Sequence, residues 1–278
     1  MYPPAQRTLE IIELLADAPD GLALSAIGTQ LNIPKSATHR LLAGLTARGF
    51  VRQVAATTHY TLTLKLAALG FRQLAATRIE EVCQPVLDLL ATQSGELARL
   101  ATVEGDGMTW VAKAQGALSG LRYDAHAGRD VVLHATAVGK IWLASLPENV
   151  ALAIIARAGF DHGGNLGPRA VTSLAAMRQH LRDTRKRGYG EAVDEGEPGV
   201  AAVAAAVYAS SAAGAPVVAT VSVAGPLARF NAARRAVLIR DVQAAAAEIS
   251  ACWPVREQHR RNMVSPLPKR IQESADAA

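Results

Sequence analysis

The sequence predicts an α+β protein of two domains: a small helical head closed by a β-hairpin, then a larger α/β domain on one antiparallel sheet. Three observations predict it. The first 63 residues hold three short helical periodicities followed by two strand-like runs. The rest of the chain mixes apolar strands and helices across short, glycine-bearing turns. Finally, 278 residues, 50% of them apolar, suffice for two cores. With 19% charged residues and a net charge of +5, a wholly disordered chain is excluded. Two cysteines, Cys83 and Cys252, are too few for a disulfide framework and read as small buried hydrophobes in a reducing compartment. No apolar run approaches the roughly 20 residues of a membrane span. Glu10, Glu13, Asp17 and Asp20 do not suit a secretory signal. A cytoplasmic protein with no membrane partner is expected.

The elements of the head follow in order. Residues 5–17 place Leu9, Ile12 and Ala16 on one helical stripe, with Ile11 and Leu15 beside it, and Pro19-Asp20-Gly21 stops the helix. A second helix is expected from Ser25 to Leu31, capped by Ser25 or the residue before it. Asn32-Ile33 makes a tight turn, Pro34 suits the first turn of a third helix, and Gly49 ends it. Ile33, Ala37, Leu41 and Leu45 share one face of that helix, widened by Leu42, and Ser36, His39, Arg40 and Ala43 the other, flanked by Lys35. Residues 50–53 and 59–62 pair around 55–58 as a wing. Small, polar and cationic side chains near a helix start are what reading a DNA major groove requires. The first 80 residues hold eight Lys/Arg against five Asp/Glu, a modest excess in the same direction. A helical bundle used only for assembly remains open on geometry alone.

The larger domain begins with helices over 64–76 and 79–94, the second closed by Gly95. Strands are expected over 96–103, 108–114 and 121–123, and later over 201–208 and 217–223. Further helices are expected near 135–145, over 148–158, and from a Ser173 cap to Gly188. The last carries Leu238, Val242, Ala245, Ile249 and Cys252 in a stripe. Searches for chemistry return little. Gly139-Lys140 lacks the rest of a phosphate loop, no glycine run fits a dinucleotide fingerprint, and the histidines and cysteines show no metal-ligand spacing. Neither an enzyme, a metal nor a cofactor is therefore expected. The acidic run Asp194-Glu195-Gly196-Glu197 reads mainly as a solvated turn. The helix opening near Ala135, with its free N–H groups, offers a carboxylate site, or His134 merely caps or packs there. A free-standing metabolite-binding protein is the competing class.

Specific runs then carry a resemblance. Pro34-Lys35-Ser36-Ala37-Thr38-His39-Arg40-Leu41-Leu42, Leu133-His134-Ala135-Thr136-Ala137-Val138-Gly139-Lys140, Arg187-Gly188-Tyr189 and Ser222-Val223-Ala224-Gly225-Pro226 stand in this order and separation. Over residues 5–253 the chain resembles IclR-type bacterial transcriptional regulators. The resemblance implies a winged helix-turn-helix over 1–63, a linker helix over 64–78 and a GAF-like effector-binding domain over 79–254. The Pro-containing tail, 255–278, is expected to be disordered. It implies a homodimer or dimer of dimers on double-stranded operator DNA, repressing or activating a catabolic operon, with a small organic or aromatic acid as effector. Lys35, Ser36, Thr38, His39 and Arg40 inherit an expectation of DNA contact, and Arg52 in the wing one of phosphate contact. Tyr123, Val131, Ala137, Val138, Ala192, Val200, Ala202, Ser222 and Ala224 inherit the effector site. Ala192, Ala202 and Ala224 stand where some members carry polar residues, so the expected ligand is larger and less polar.

Overall fold

The structure is a computed structural model that describes residues 3–124, 130–161, 166–210 and 212–253. The chain forms two compact units, residues 1–76 and 77–278. The expected disordered tail, 255–278, lies outside the described residues.

In the first unit, α1 (Pro3–Ala16), α2 (Leu24–Gln30) and α3 (Lys35–Ala47) are followed by the hairpin β1 (Val51–Gln53) and β2 (Tyr60–Leu62) and by α4 (Lys65–Thr77). Ile11, Leu15, Ile27, Ile33, Leu42, Leu45 and Val51 form its core. The phase of α1 differs from the expected stripe: Ile11 and Leu15 are buried while Leu9 is 54% exposed. Apolar residues cover most of that helix, so packing against α3 and β2, not periodicity, chooses the face. Ala23, in extended backbone, is the N-cap of α2, and Ser25 does not cap it. Asn32 takes the left-handed turn at φ 51°, a conformation its short amide tolerates. The two helices then cross closely, because a Cβ on Gly28 would sit 3.0 Å from the Ile33 carbonyl oxygen. Val51 pairs with Leu62 and Gln53 with Tyr60, while Leu22 bridges Tyr60 as a third edge. α4 buries none of its residues.

The second unit begins with α5 (Ile79–Ser94) and the hairpin β3 (Leu97–Glu104) and β4 (Gly107–Gln115). Then come α6 (Ala137–Ser145), α7 (Glu148–Ala158), α8 (Leu174–Arg187), β5 (Gly190–Val193), β6 (Val200–Tyr208), β7 (Val217–Pro226) and α9 (Ala232–Cys252). The strands form one sheet in the order β4-β3-β7-β6-β5, antiparallel throughout. Helices α5 and α9 pack together against one face, and α6 lies against β5, β6 and β7, with α7 and α8 beyond it. This is the α+β arrangement the sequence predicts. Three local readings need correction. Residues 121–123 form no strand, and Tyr123 is held by its carbonyl, which accepts from Gln115 Nε2 at 2.9 Å. β5 is an additional, four-residue edge strand. Cys252 is exposed rather than part of the α9 stripe, whereas Cys83 is buried.

α6 occupies the centre of its layer, and residues 137–144 are all buried. Apart from Lys140 this helix is small or apolar all round, so it has to be covered all round. It opens at Ala137 rather than near Ala135: the Thr136 hydroxyl accepts from Gly139 N at 3.2 Å and donates to the Val132 carbonyl at 2.8 Å. Gly139 is required there, since a Cβ would lie 2.2 Å from the Leu133 carbonyl oxygen.

Candidate functional site

The first candidate surface is the outer face of α3. Lys35, Ser36, His39 and Arg40 are exposed and, with Leu24, line one open depression. Opposite them, Leu42 and Leu45 are buried and hold the helix to the core. No side chain caps the start of α3; the Ala37 and Thr38 N–H groups donate to the Pro34 carbonyl, and free N–H groups in a helix's first turn can serve as phosphate donors. Thr38 must be taken off the expected contact surface. It is fully buried, and its hydroxyl donates to the Pro34 and Ile33 carbonyls at 3.2 and 3.3 Å. Its place is inside the turn, fixing α3 against Gly28. In the wing, Arg52 is exposed and its Nε donates to Thr61 Oγ1 at 3.3 Å.

The second candidate site lies on the α6-facing side of the sheet. Ala192 pairs with Ala202 and Ala202 with Ala224, which puts these three in one row across β5, β6 and β7. In the next row Ala204 pairs with Ser222, and Ser222 with Arg99 of β3. Side chains two residues apart on a strand share a face, so the rows form one surface of alanines with Ser222 and Arg99 at its β3 end. Ala137 and Val138 come from the first turn of α6; a Cβ on Gly190 would meet the Ala137 carbonyl oxygen at 2.0 Å. Val200 continues the β6 row. Val131 sits toward the β3–β4 turn, where its N–H donates to the Met108 carbonyl, and shares one apolar cluster with Ala137, Val138, Ala192 and Ala204.

Arg99 is the residue that the sequence reading missed. It is only 8% exposed, and the carboxylate that acts on it, Glu197, is bound to the Tyr123 hydroxyl. Its guanidinium carbon is 3.7 Å from the centre of the Trp110 ring and 5.4 Å from that of Tyr123, two cation–π contacts. Its Nε has no hydrogen-bond partner, nor do the hydroxyls of the buried Ser222 and Thr220. Burial lowers the Arg99 pKa, while Tyr123 and Glu197 act in the other direction; a guanidinium stays charged regardless. Burial pushes the Tyr123 phenol up to about 12, and its hydroxyl donates to Glu197 Oε1 at 2.6 Å. The sequence signal was a lone cation inside the apolar run 97–101.

Behind this surface, Lys140 of α6 is buried with Glu195, to which its ammonium donates. The same ammonium donates to the Glu191 carbonyl at 3.2 Å, and Glu195 Oε1 accepts from Val193 N at 3.3 Å. Burial lowers the Lys140 pKa, and Glu195 partly offsets that. Asp194, at φ 58°, accepts from Gly199 N at 2.6 Å. The acidic run is therefore a built loop, not a solvated turn: each of its carboxylates has a protein partner. His134 does not cap α6; its ring meets Phe160 edge-on at 5.0 Å.

Comparison with known proteins agrees with this architecture. Residues 4–55 match the IclR helix-turn-helix domain and residues 71–251 the bacterial transcriptional regulator IclR C-terminal domain. The acetate operon repressor of Salmonella typhimurium is 28% identical over 251 residues, 89% of this chain and 88% of that protein. The crystal structure of an IclR transcriptional regulator from Alicyclobacillus acidocaldarius superposes with a TM-score of 0.76 at 21% identity, covering 90% of this chain and 98% of that one. An IclR homologue from Microbacterium hydrocarbonoxydans, solved with 4-hydroxybenzoate, gives a TM-score of 0.69 at 21% identity over 89% and 97% of the two chains. Matched in both of its parts, the chain belongs to the IclR family of bacterial transcriptional regulators.

Proposed function

We propose that this regulator controls a catabolic operon from the bacterial cytoplasm, binding its operator as a homodimer or dimer of dimers under the control of a small organic acid. Lys35, Ser36, His39 and Arg40 read and grip the major groove, and Arg52 contacts phosphate. The observation that carries this reading is the division of α3: Leu42 and Leu45 are buried while Ser36, His39 and Arg40 stand exposed together. A helix used only for assembly would present a second apolar stripe there. Each dimer places two such helices on half-sites about one turn of DNA apart. The acid occupies the α6-facing side of the sheet, where Ser222, Ala192, Ala202, Ala224 and Val138 lie. The 4-hydroxybenzoate bound by the Microbacterium homologue supports an aromatic acid as the ligand class. Such a ligand acts only through unequal affinity for the DNA-competent and DNA-incompetent arrangements.

The test is a titration of the full-length protein into its own promoter DNA and a scrambled duplex at two salt concentrations. Promoter binding should fall steeply with salt, because cations displaced from phosphates set the slope, and should exceed scrambled binding by about a hundredfold or more. Arg40→Ala should weaken promoter binding by about 5- to 150-fold, the range expected of one base-reading arginine. Binding that stayed indifferent to sequence across genomic fragments and candidate acids would refute the reading.

A further inference from the structure

On the α6-facing side of the sheet, the buried guanidinium of Arg99 has no carboxylate in direct contact among the described residues: Tyr123 hydrogen-bonds it, and Glu197, the counter-charge that acts on it, is bound to the Tyr123 hydroxyl. Native proteins pair buried cations, since an unpaired one is expensive to desolvate. Two further polar groups go unanswered beside it: Ser222 is the direct cross-strand partner of Arg99, and Thr220 pairs with Ala101 one row along. Both are buried and neither hydroxyl has a partner. Cross-strand neighbours stand ~5 Å apart and diagonal ones ~7–8 Å, a spacing one carboxylate group spans. One buried polar atom without a partner is tolerable; three on neighbouring positions of one face, Arg99 Nε and the two hydroxyls, describe a receptor awaiting an acceptor.

We propose that Arg99, with Ser222 and Thr220, is the anion receptor of this regulator, and that it takes the carboxylate of a compact, apolar monocarboxylic acid. The proposal rests on the reading that this side of the sheet holds the effector. It moves the recognition point from the start of α6 to the β3–β7 seam. The guanidinium supplies a planar fork matched to a carboxylate, and Trp110 holds that plane at 3.7 Å. The hydroxyls bind the remaining lone pairs. Around them the surface is apolar and small, with Ala101, Ala202, Ala204 and Ala206, so the rest of the ligand is a hydrocarbon ring or short chain.

The experiment measures Tm shifts and calorimetric Kd on the full-length protein and its Arg99→Met, Arg99→Lys and Ser222→Ala variants. The probes are benzoate, 4-hydroxybenzoate, cyclohexanecarboxylate and, as the neutral counterpart, benzamide. At least one carboxylate should stabilise the wild type, and benzamide should not. Arg99→Met should weaken that carboxylate by about 30-fold or more, as expected on losing a charge-assisted pair. Arg99→Lys and Ser222→Ala should weaken it by smaller factors. Without ligand, Arg99→Met should melt no lower than the wild type, since it removes a buried, unpaired charge. If it does melt lower, Arg99→Lys decides: a loss of acid affinity there supports the receptor and unchanged affinity overturns it. Equal binding of the acid to wild type and Arg99→Met overturns the proposal while leaving an acid effector in place. Failure of every carboxylate to bind the wild type overturns it too, and the operator titration then judges the wider reading separately. In that titration the operator binding of Arg99→Met should no longer respond to acid.

Discussion

Replacing Lys140 by Met tests the buried ion pair that ties α6 to the loop after β5. The Lys140 side chain is 1% exposed and that of Glu195 8%, so solvent can screen neither charge. Removing the ammonium leaves Glu195 with one backbone donor, Val193 N at 3.3 Å. Breaking a buried pair from one side costs about 3–5 kcal/mol. In a unit of this size each kcal/mol moves Tm by about 2–4 °C, so Tm should fall by about 6–20 °C. Glu195→Gln strands the other charge, that of Lys140, whose pKa burial already lowers, and should also destabilise. In that variant the folded pKa of Lys140 lies further below the unfolded value, so between the two the unfolded chain binds more protons and stability rises with pH. The double variant Lys140→Met/Glu195→Leu should recover most of the loss, since an apolar pair strands no charge. Thermal and urea unfolding of the three variants would decide it. A Lys140→Met protein within about 1 kcal/mol of wild type, or a double variant no better than the single, would refute the argument.

Three other outcomes follow from the structure. Thr38→Val removes the two hydroxyl contacts to Ile33 and Pro34 and should cost about 0.5–1.5 kcal/mol of stability, with operator affinity of the folded protein little changed; a loss as large as that of Arg40→Ala would return Thr38 to the interface. His180 has its pKa lowered first by burial and then by the nearby Lys140 charge, so as pH falls below about 6.5 the unfolded chain takes up the proton first and Tm should decline, less so in His180→Gln; parallel curves would remove His180 as the cause. Burial pushes the Cys83 thiol up to about 12 while Cys252 is exposed, so a thiol reagent at pH 8 should modify Cys252 promptly and Cys83 only on unfolding, as peptide mass mapping would show.

What the sequence made legible was local. α7 spans Glu148–Ala158 and α5 ends at Ser94 before a left-handed Gly95, both as expected, because chain punctuation sets such ends. The face of α1 was not legible, since apolar residues surround that helix and α3 with β2 makes the choice. β5 was missed because four residues with Glu191 among them carry no alternation worth reading, and its pairing with β6 is what makes it a strand. The candidate site failed in the same way. Arg99 stands out only when β3 is laid beside β7, which brings Ser222 and Thr220 next to it from more than a hundred residues away. Lys140 and the acidic run were each noticed, but 55 residues separate Lys140 from Glu195 and nothing local joins them. Thr38 shows the converse: a family expectation of contact is overruled by a hydroxyl turned into the fold.

The alanines of β6 have an evolutionary consequence. Ala202, Ala204 and Ala206 face α6, and an alanine can be exchanged for almost nothing smaller: glycine alone removes atoms, and it weakens a strand. Drift at these three positions therefore runs one way, adding volume, while reversion to alanine restores the original space without disturbing the backbone ladder. Under the proposed placement of the effector on this face, a lineage descending from such a chain would diversify by losing ligands rather than by gaining them. A saturation library at the three positions, sorted on response to acids of graded size, should hold many narrowed variants and very few broadened ones.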